Sequence, residues 1–143
     1  MMDYADFVEQ IKQHEGTGPV KNGCHLFYTD SMGVLTIGYG RNLNDGLTEE
    51  EAMYLLQNDL GRARSQARQA FPWFDLIHHD AQFVVTELVF NMGIGKYEMF
   101  HEMHAALSQQ EYPRAADCLL DSLYAKQVGQ RAQDLAAILR AIT

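Results

Sequence analysis

Cysteine is scarce in this sequence: Cys24 and Cys118 are the only two in 143 residues. That excludes a disulfide scaffold, and their separation excludes the close spacing of a zinc site, so both read as reduced thiols. Long apolar runs are missing as well. No stretch reaches the roughly 20 apolar residues of a membrane helix, so stable membrane insertion is not expected. Bases are outnumbered, 11 against 19 acids, for a formal charge of −8. Such a balance gives no long-range attraction to nucleic acid or to an anionic surface. Arg62, Arg64 and Arg68 do recur at helical spacing, and they read as a solvated helix face. Proline is limited to three residues and no flexible linker is evident, so one domain over residues 1–143 is expected. The N-terminus, Met1-Met2-Asp3-Tyr4-Ala5-Asp6, has acids where a signal peptide has a basic flank, which implies a chain made in a cytoplasm.

What is present is apolar periodicity. Hydrophobic residues form 47% of the chain, enough to bury a core rather than remain a disordered tail. Asp3 can cap a helix carrying Tyr4, Phe7, Val8 and Ile11 on one face, ended by Gly16 and Gly18-Pro19. Two short runs of strand character follow, Leu26-Phe27-Tyr28 and Val34-Leu35-Thr36-Ile37, joined by a loop containing Asp30, Ser31 and Gly33. Thr48-Glu49-Glu50-Glu51 has the form of a capping box. It opens a helix through Ala52, Leu55, Leu56, Leu60 and Ala63, about 22 residues and roughly 33 Å long. A helix that outgrows a local core often bridges two lobes. Asp80 is expected to cap a segment with Val84, Val85, Leu88, Val89 and Met92, stopped by Gly93. Further helices are expected over about 97–107, from Pro113, and through Ala132 to Ile142. The fold class is α+β and mainly helical. A small β-hairpin lobe covers about 16–47, a long inter-lobe helix about 48–71, and a helical lobe about 72–143 together with the N-terminal helix.

Three residues suggest chemistry. Glu15 lies four positions after Ile11, on the apolar face of the first helix at its last turn. The negative end of the helix dipole and partial desolvation both favour a protonated carboxyl there, as a general acid requires. Asp30 sits in the hairpin loop, where solvation keeps it ionised, although aspartate also serves turns for their own sake. Thr36 lies on the following strand, where its hydroxyl can face the same cleft. A protonated acid, an ionised acid and a hydroxyl to position water are the parts for glycoside hydrolysis. Elsewhere the signals are weaker. His101 and His104 share a helical face without a third ligand and read as exposed histidines rather than a metal site. His78 and His79 read as loop residues before a cap. Gly38-Tyr39-Gly40 lacks the spacing of a phosphate-binding fingerprint.

The runs His14-Glu15-Gly16, Tyr28-Thr29-Asp30 and Gly33-Val34-Leu35-Thr36-Ile37-Gly38-Tyr39-Gly40 together resemble the signature of phage-type lysozymes, the muramidases of glycoside hydrolase family 24. Phe90-Asn91-Met92-Gly93 is similar to the family's stretch ending its central core helix. Tyr124 through Ala132 resembles the segment opening its last helix. The likeness covers roughly residues 3–142.

The resemblance implies a lysozyme-like, two-lobed fold and a peptidoglycan hydrolase. Such an enzyme cleaves the β-1,4 bond between N-acetylmuramic acid and N-acetylglucosamine and needs no metal or organic cofactor. It implies Glu15 as the general acid, Asp30 as charge stabiliser or base, and Thr36 as the residue holding water or aligning the sugar. Asn91 would contact the saccharide, and Arg131 would bind substrate and pair with the catalytic glutamate. An inverting member would hold its carboxyls about 6.5–9.5 Å apart, while some relatives retain configuration. The expected partner is the glycan strand, met by a monomer that leaves the host cytoplasm through a holin or another leak and acts on the cell wall. The chain departs from many relatives at Arg41, where they carry His, and in its acidity, which predicts wall association that is weaker or more dependent on salt and cations, or action while tethered within a larger assembly. Two other classes compete. A lysozyme-fold module that binds without cleaving is disfavoured by the joint presence of Glu15, Asp30 and Thr36. A lytic transglycosylase would use the same Glu15 but leave an anhydro-sugar, and it is disfavoured by Asp30 and Thr36, which prepare a water.

Overall fold

Asp3 opens the first helix, α1 (Tyr4–Glu15), with a reciprocal cap. Its carboxylate accepts from the amide of Asp6 at 2.8 Å, and the Asp6 carboxylate accepts from the amide of Asp3 at 3.3 Å. Gly16, at φ 63°, ends the helix. The computed structural model describes residues 1–143 and divides them into two units, Met1–Met53 and Tyr54–Thr143.

The first unit holds α1, two small antiparallel sheets and the first turn of α2 (Glu49–Ala70). A two-stranded ribbon, β1 (Val20–Lys21) and β2 (Cys24–His25), was not expected; its turn is made by Asn22 and Gly23, both at positive φ. The expected hairpin is β3 (Tyr28–Thr29) with β4 (Leu35–Ile37), so strand pairing starts at Tyr28 rather than Leu26. A third strand, β5 (Arg41–Asn42), makes β4 the centre of the sheet, with Thr36 between Tyr28 and Asn42. Gly18 is required here by space: a Cβ on it would overlap the Tyr28 ring.

The capping box at the start of α2 is formed. The amide of Glu51 donates to Thr48 Oγ1 at 3.2 Å, and the amide of Thr48 donates to Glu51 Oε1 at 3.1 Å. Glu51 also forms an ion pair with Arg41, which ties β5 to the first turn of α2. These donors pull the Glu51 carboxyl down to about 2, the Arg41 guanidinium contributing most and Thr48 the rest.

The second unit is helical: α2 beyond its first turn, α3 (His79–Met92), α4 (Ile94–Tyr97), α5 (His101–Ser108), α6 (Tyr112–Leu120), α7 (Leu123–Val128) and α8 (Gln130–Arg140). Its core joins Phe74, Val84, Val85, Leu88, Leu107, Leu119 and Leu139, with small residues such as Ala115, Ala116, Ala132 and Ala136 fully buried in α6 and α8. Two boundaries differ from expectation. The cap of α3 is His78, whose Nδ1 accepts from the amide of Asp80 at 3.1 Å, leaving Asp80 in the first turn where the dipole favours an acid. The expected helix over 97–107 is broken between α4 and α5, where Phe100 leaves helical geometry while its ring packs 5.5 Å from that of the buried Tyr97. Gly129, at φ 58°, separates α7 from α8.

The arginines of α2 are held in place by partners. Arg68 Nε lies 2.9 Å from both oxygens of Asp75, and Arg62 pairs with Asp59. Both cysteines are free thiols.

Candidate active site

The carbonyl of Val34 organises the hairpin end of the first unit. It accepts from the amide of Asp30 at 2.9 Å and from Thr36 Oγ1 at 2.9 Å, filling both lone pairs. Asp30 returns the contact: its Oδ1 accepts from the amides of Val34 and Met32, each at 2.8 Å. The loop chemistry that makes aspartate a turn residue is therefore present, and it occupies only one carboxylate oxygen. Oδ2 keeps its acceptor capacity. Thr36 is buried at 3% exposure, and because its hydroxyl proton is committed to Val34, the oxygen can only accept from a further partner.

Glu15, Asp30 and Thr36 line one cleft of about 590 Å³, together with Tyr28, Gly40 and Asn42. The structure thus brings the three residues singled out from sequence to one place in the first unit. Glu15 lies against the turn after β4: a Cβ on Gly40, which sits at φ 93°, would fall 2.9 Å from Glu15 Oε2 and 3.3 Å from its Cδ. Glycine at 40 is what lets the carboxylate approach the backbone.

One expectation for Glu15 is corrected. It is exposed, and no residue of α1 is buried, so the partial desolvation expected of its carboxyl is not found. Its place in the last helical turn, by the negative end of the dipole, stands. Sequence reasoning overlooked Asn42, which pairs with Thr36 in register across the sheet and lines the cleft; the only signal was its place two residues after Gly40.

Asn91 and Arg131 belong to the second unit. Asn91 is exposed near the end of α3 and lines a cavity of about 440 Å³ with Lys96, Tyr124 and Gln127. Arg131, in the first turn of α8, donates from Nε to Glu87 Oε1 at 2.9 Å. Glu87 was not anticipated, although it stands four residues before Asn91 on the same helix and therefore shares its face. Arg41 is engaged with Glu51 and does not line the cleft.

The potential metal ligands do not build a convincing site. His78, His79 and Asp80 hold ligand atoms within 4.8 Å of one another. They lie at the positive end of α3, which opposes a cation, and His78 Nδ1 is spent on the cap. His104 is not the exposed histidine expected from sequence: its ring packs 4.4 Å from Phe71 and 4.7 Å from Tyr97. Burial holds it down to about 4, with His101 adding to the effect, so it is neutral near pH 7.

A search of curated proteins finds no match to this chain. A family model described as phage lysozyme matches residues 20–139, a span that includes Asp30, Thr36, Asn91 and Arg131 and begins after Glu15. That match covers most of the chain, and with the mainly helical α+β architecture it shows that the chain belongs to the phage lysozyme family, the peptidoglycan-hydrolysing endolysins.

Proposed function

We propose that this chain is an N-acetylmuramidase, cleaving the β-1,4 bond between N-acetylmuramic acid and N-acetylglucosamine. The observation that carries the reading is the shared cleft of Glu15, Asp30 and Thr36, with Asp30 and Thr36 both fastened to the Val34 carbonyl. Glu15 is the general acid that protonates the glycosidic oxygen as the bond breaks. Asp30 faces the positive charge developing at the anomeric carbon, or takes a proton from water.

Thr36 supplies an acceptor with its own proton already committed, so a water bound to it must donate. If that water gives its second proton to Asp30 Oδ2, its oxygen lone pairs stay free for attack on the anomeric carbon. Asn91 and Arg131 contact the saccharide. No step calls for a metal or an organic cofactor. The enzyme acts as a monomer on wall peptidoglycan after leaving the host cytoplasm, with a holin as one route.

Release of reducing ends from purified peptidoglycan tests the assignment. Glu15→Gln and Asp30→Asn should each lose at least about 100-fold in rate, the scale of a positioned acid or base, while their melting transitions stay cooperative. A Glu15→Gln protein with most of the wild-type rate would sink the acid assignment.

A further inference from the structure

Glu87 occupies the middle of α3, with Asn91 one turn further along the same face. Across from it, the break at Gly129 starts α8 afresh and sets Arg131 in its first turn. The two side chains meet through one bond, Arg131 Nε to Glu87 Oε1 at 2.9 Å, with both about 38–39% exposed. This is a single-point contact on the Nε edge that uses one of five guanidinium N–H groups, leaving the four on the Nη atoms to donate elsewhere. Tyr124 lies beside the pair: its hydroxyl is buried without a hydrogen-bond partner, and burial raises it while Arg131 and Glu87 pull in opposite directions. The pair also lines a cleft of about 560 Å³ with Arg64, Phe83 and Phe90.

We infer that Glu87 is a positioning residue, which holds the Arg131 guanidinium by Nε so that its Nη groups are presented together as donors to saccharide oxygens. This rests on the substrate-binding role proposed for Arg131. An arginine side chain has several rotatable bonds, and a free one must give up that freedom on each binding event. Anchoring Nε beforehand fixes the plane of the fork, and a single-point anchor does so without consuming the donors that substrate needs. A bidentate acid at position 87, engaging Nε and one Nη, would have taken one of them.

The test is a double-mutant cycle on Glu87 and Arg131, read as KM and kcat on soluble peptidoglycan fragments and as fragment affinity by calorimetry. Glu87→Ala should raise KM about tenfold, the loss expected of one orienting hydrogen bond, with kcat changed by less than about threefold. Glu87→Gln, which keeps an acceptor oxygen, should recover most of that loss. In an Arg131→Ala background, Glu87→Ala should have no further effect, because there is no fork left to orient.

Additive losses in the double variant, or a Glu87→Ala protein with wild-type KM and affinity, would overturn the proposal. So would an Arg131→Ala protein that binds normally. Glu15→Gln run in parallel separates the two readings: if it still lyses, the catalytic assignment fails, while the affinity cycle tests Glu87 independently of that outcome. Melting curves of each variant guard against unfolding as the cause.

Discussion

Replacing Gly40 by alanine should lower activity by more than its loss of stability explains. Two separable effects follow from the geometry. Gly40 sits at φ 93°, so any side chain strains the backbone by about 1–3 kcal/mol. Its new Cβ would also stand 2.9 Å from Glu15 Oε2, whereas ordinary contact begins at 3.4 Å. The carboxylate must therefore retreat by at least about 0.5 Å. Glu15 is exposed, so it can swing aside at little cost to folding. A general acid displaced toward an ångström from its working position loses up to about 100-fold in rate.

Gly38 supplies the control. It lies at φ 64° in the same turn, and a Cβ there meets nothing within 4 Å. Gly38→Ala should suffer backbone strain of similar kind, about 1–2 kcal/mol, and keep most of its activity. Denaturant titration measures the strain, and reducing-end release measures the rate. Equal activity losses in the two variants would refute the argument that Gly40 serves the carboxylate; so would a Gly40→Ala protein with normal turnover.

Other outcomes follow from single groups. Thr36→Val keeps the shape but leaves the Val34 carbonyl with one donor fewer, costing about 1 kcal/mol in denaturant titration; the larger loss should be in lytic rate, and an unchanged rate would remove Thr36 from the chemistry. Stability should decline on acidification in two windows. His104 is held down to about 4, so its stabilising contribution as a neutral ring is full above its ordinary 6.5 and drains away as pH falls from there toward 4. Glu51 is held down to about 2, so its contribution is full above its ordinary 4.5 and is lost as pH falls from there toward 2. Melting temperatures from pH 2 to 7 should show His104→Leu flattening the first window and Glu51→Gln the second, and a profile unchanged in either variant would count against that cause.

Much of the fold is legible in the sequence because its signals are local. Asp3, Thr48 and Glu51 announce helix starts through side chains that reach only three residues, and each cap is formed. Thr29 through Gly33 has turn chemistry of its own. The misses depend on contacts that spacing does not encode. The break between α4 and α5 falls where Phe100 packs on Tyr97. The cap by His78 was hidden behind Asp80, a residue with the better local propensity.

The candidate site divides in the same way. Asp30 and Thr36 lie six residues apart on one hairpin, so their meeting follows from its register. Asn42 and Gly40 join them only because a third strand returns along β4. Glu87 could be placed on the face of Asn91 from sequence, but nothing in its spacing declares that Arg131, 44 residues away, is its partner.

The most direct test of the muramidase is mass spectrometry of the fragments released from purified peptidoglycan by the wild-type protein and by Glu15→Gln. Hydrated muramic acid ends from the wild type, absent with the variant, are what an acid at Glu15 and a water held by Asp30 and Thr36 predict. Anhydro-muramic ends would contradict the role of that water, and hydrated ends persisting in Glu15→Gln would contradict the acid.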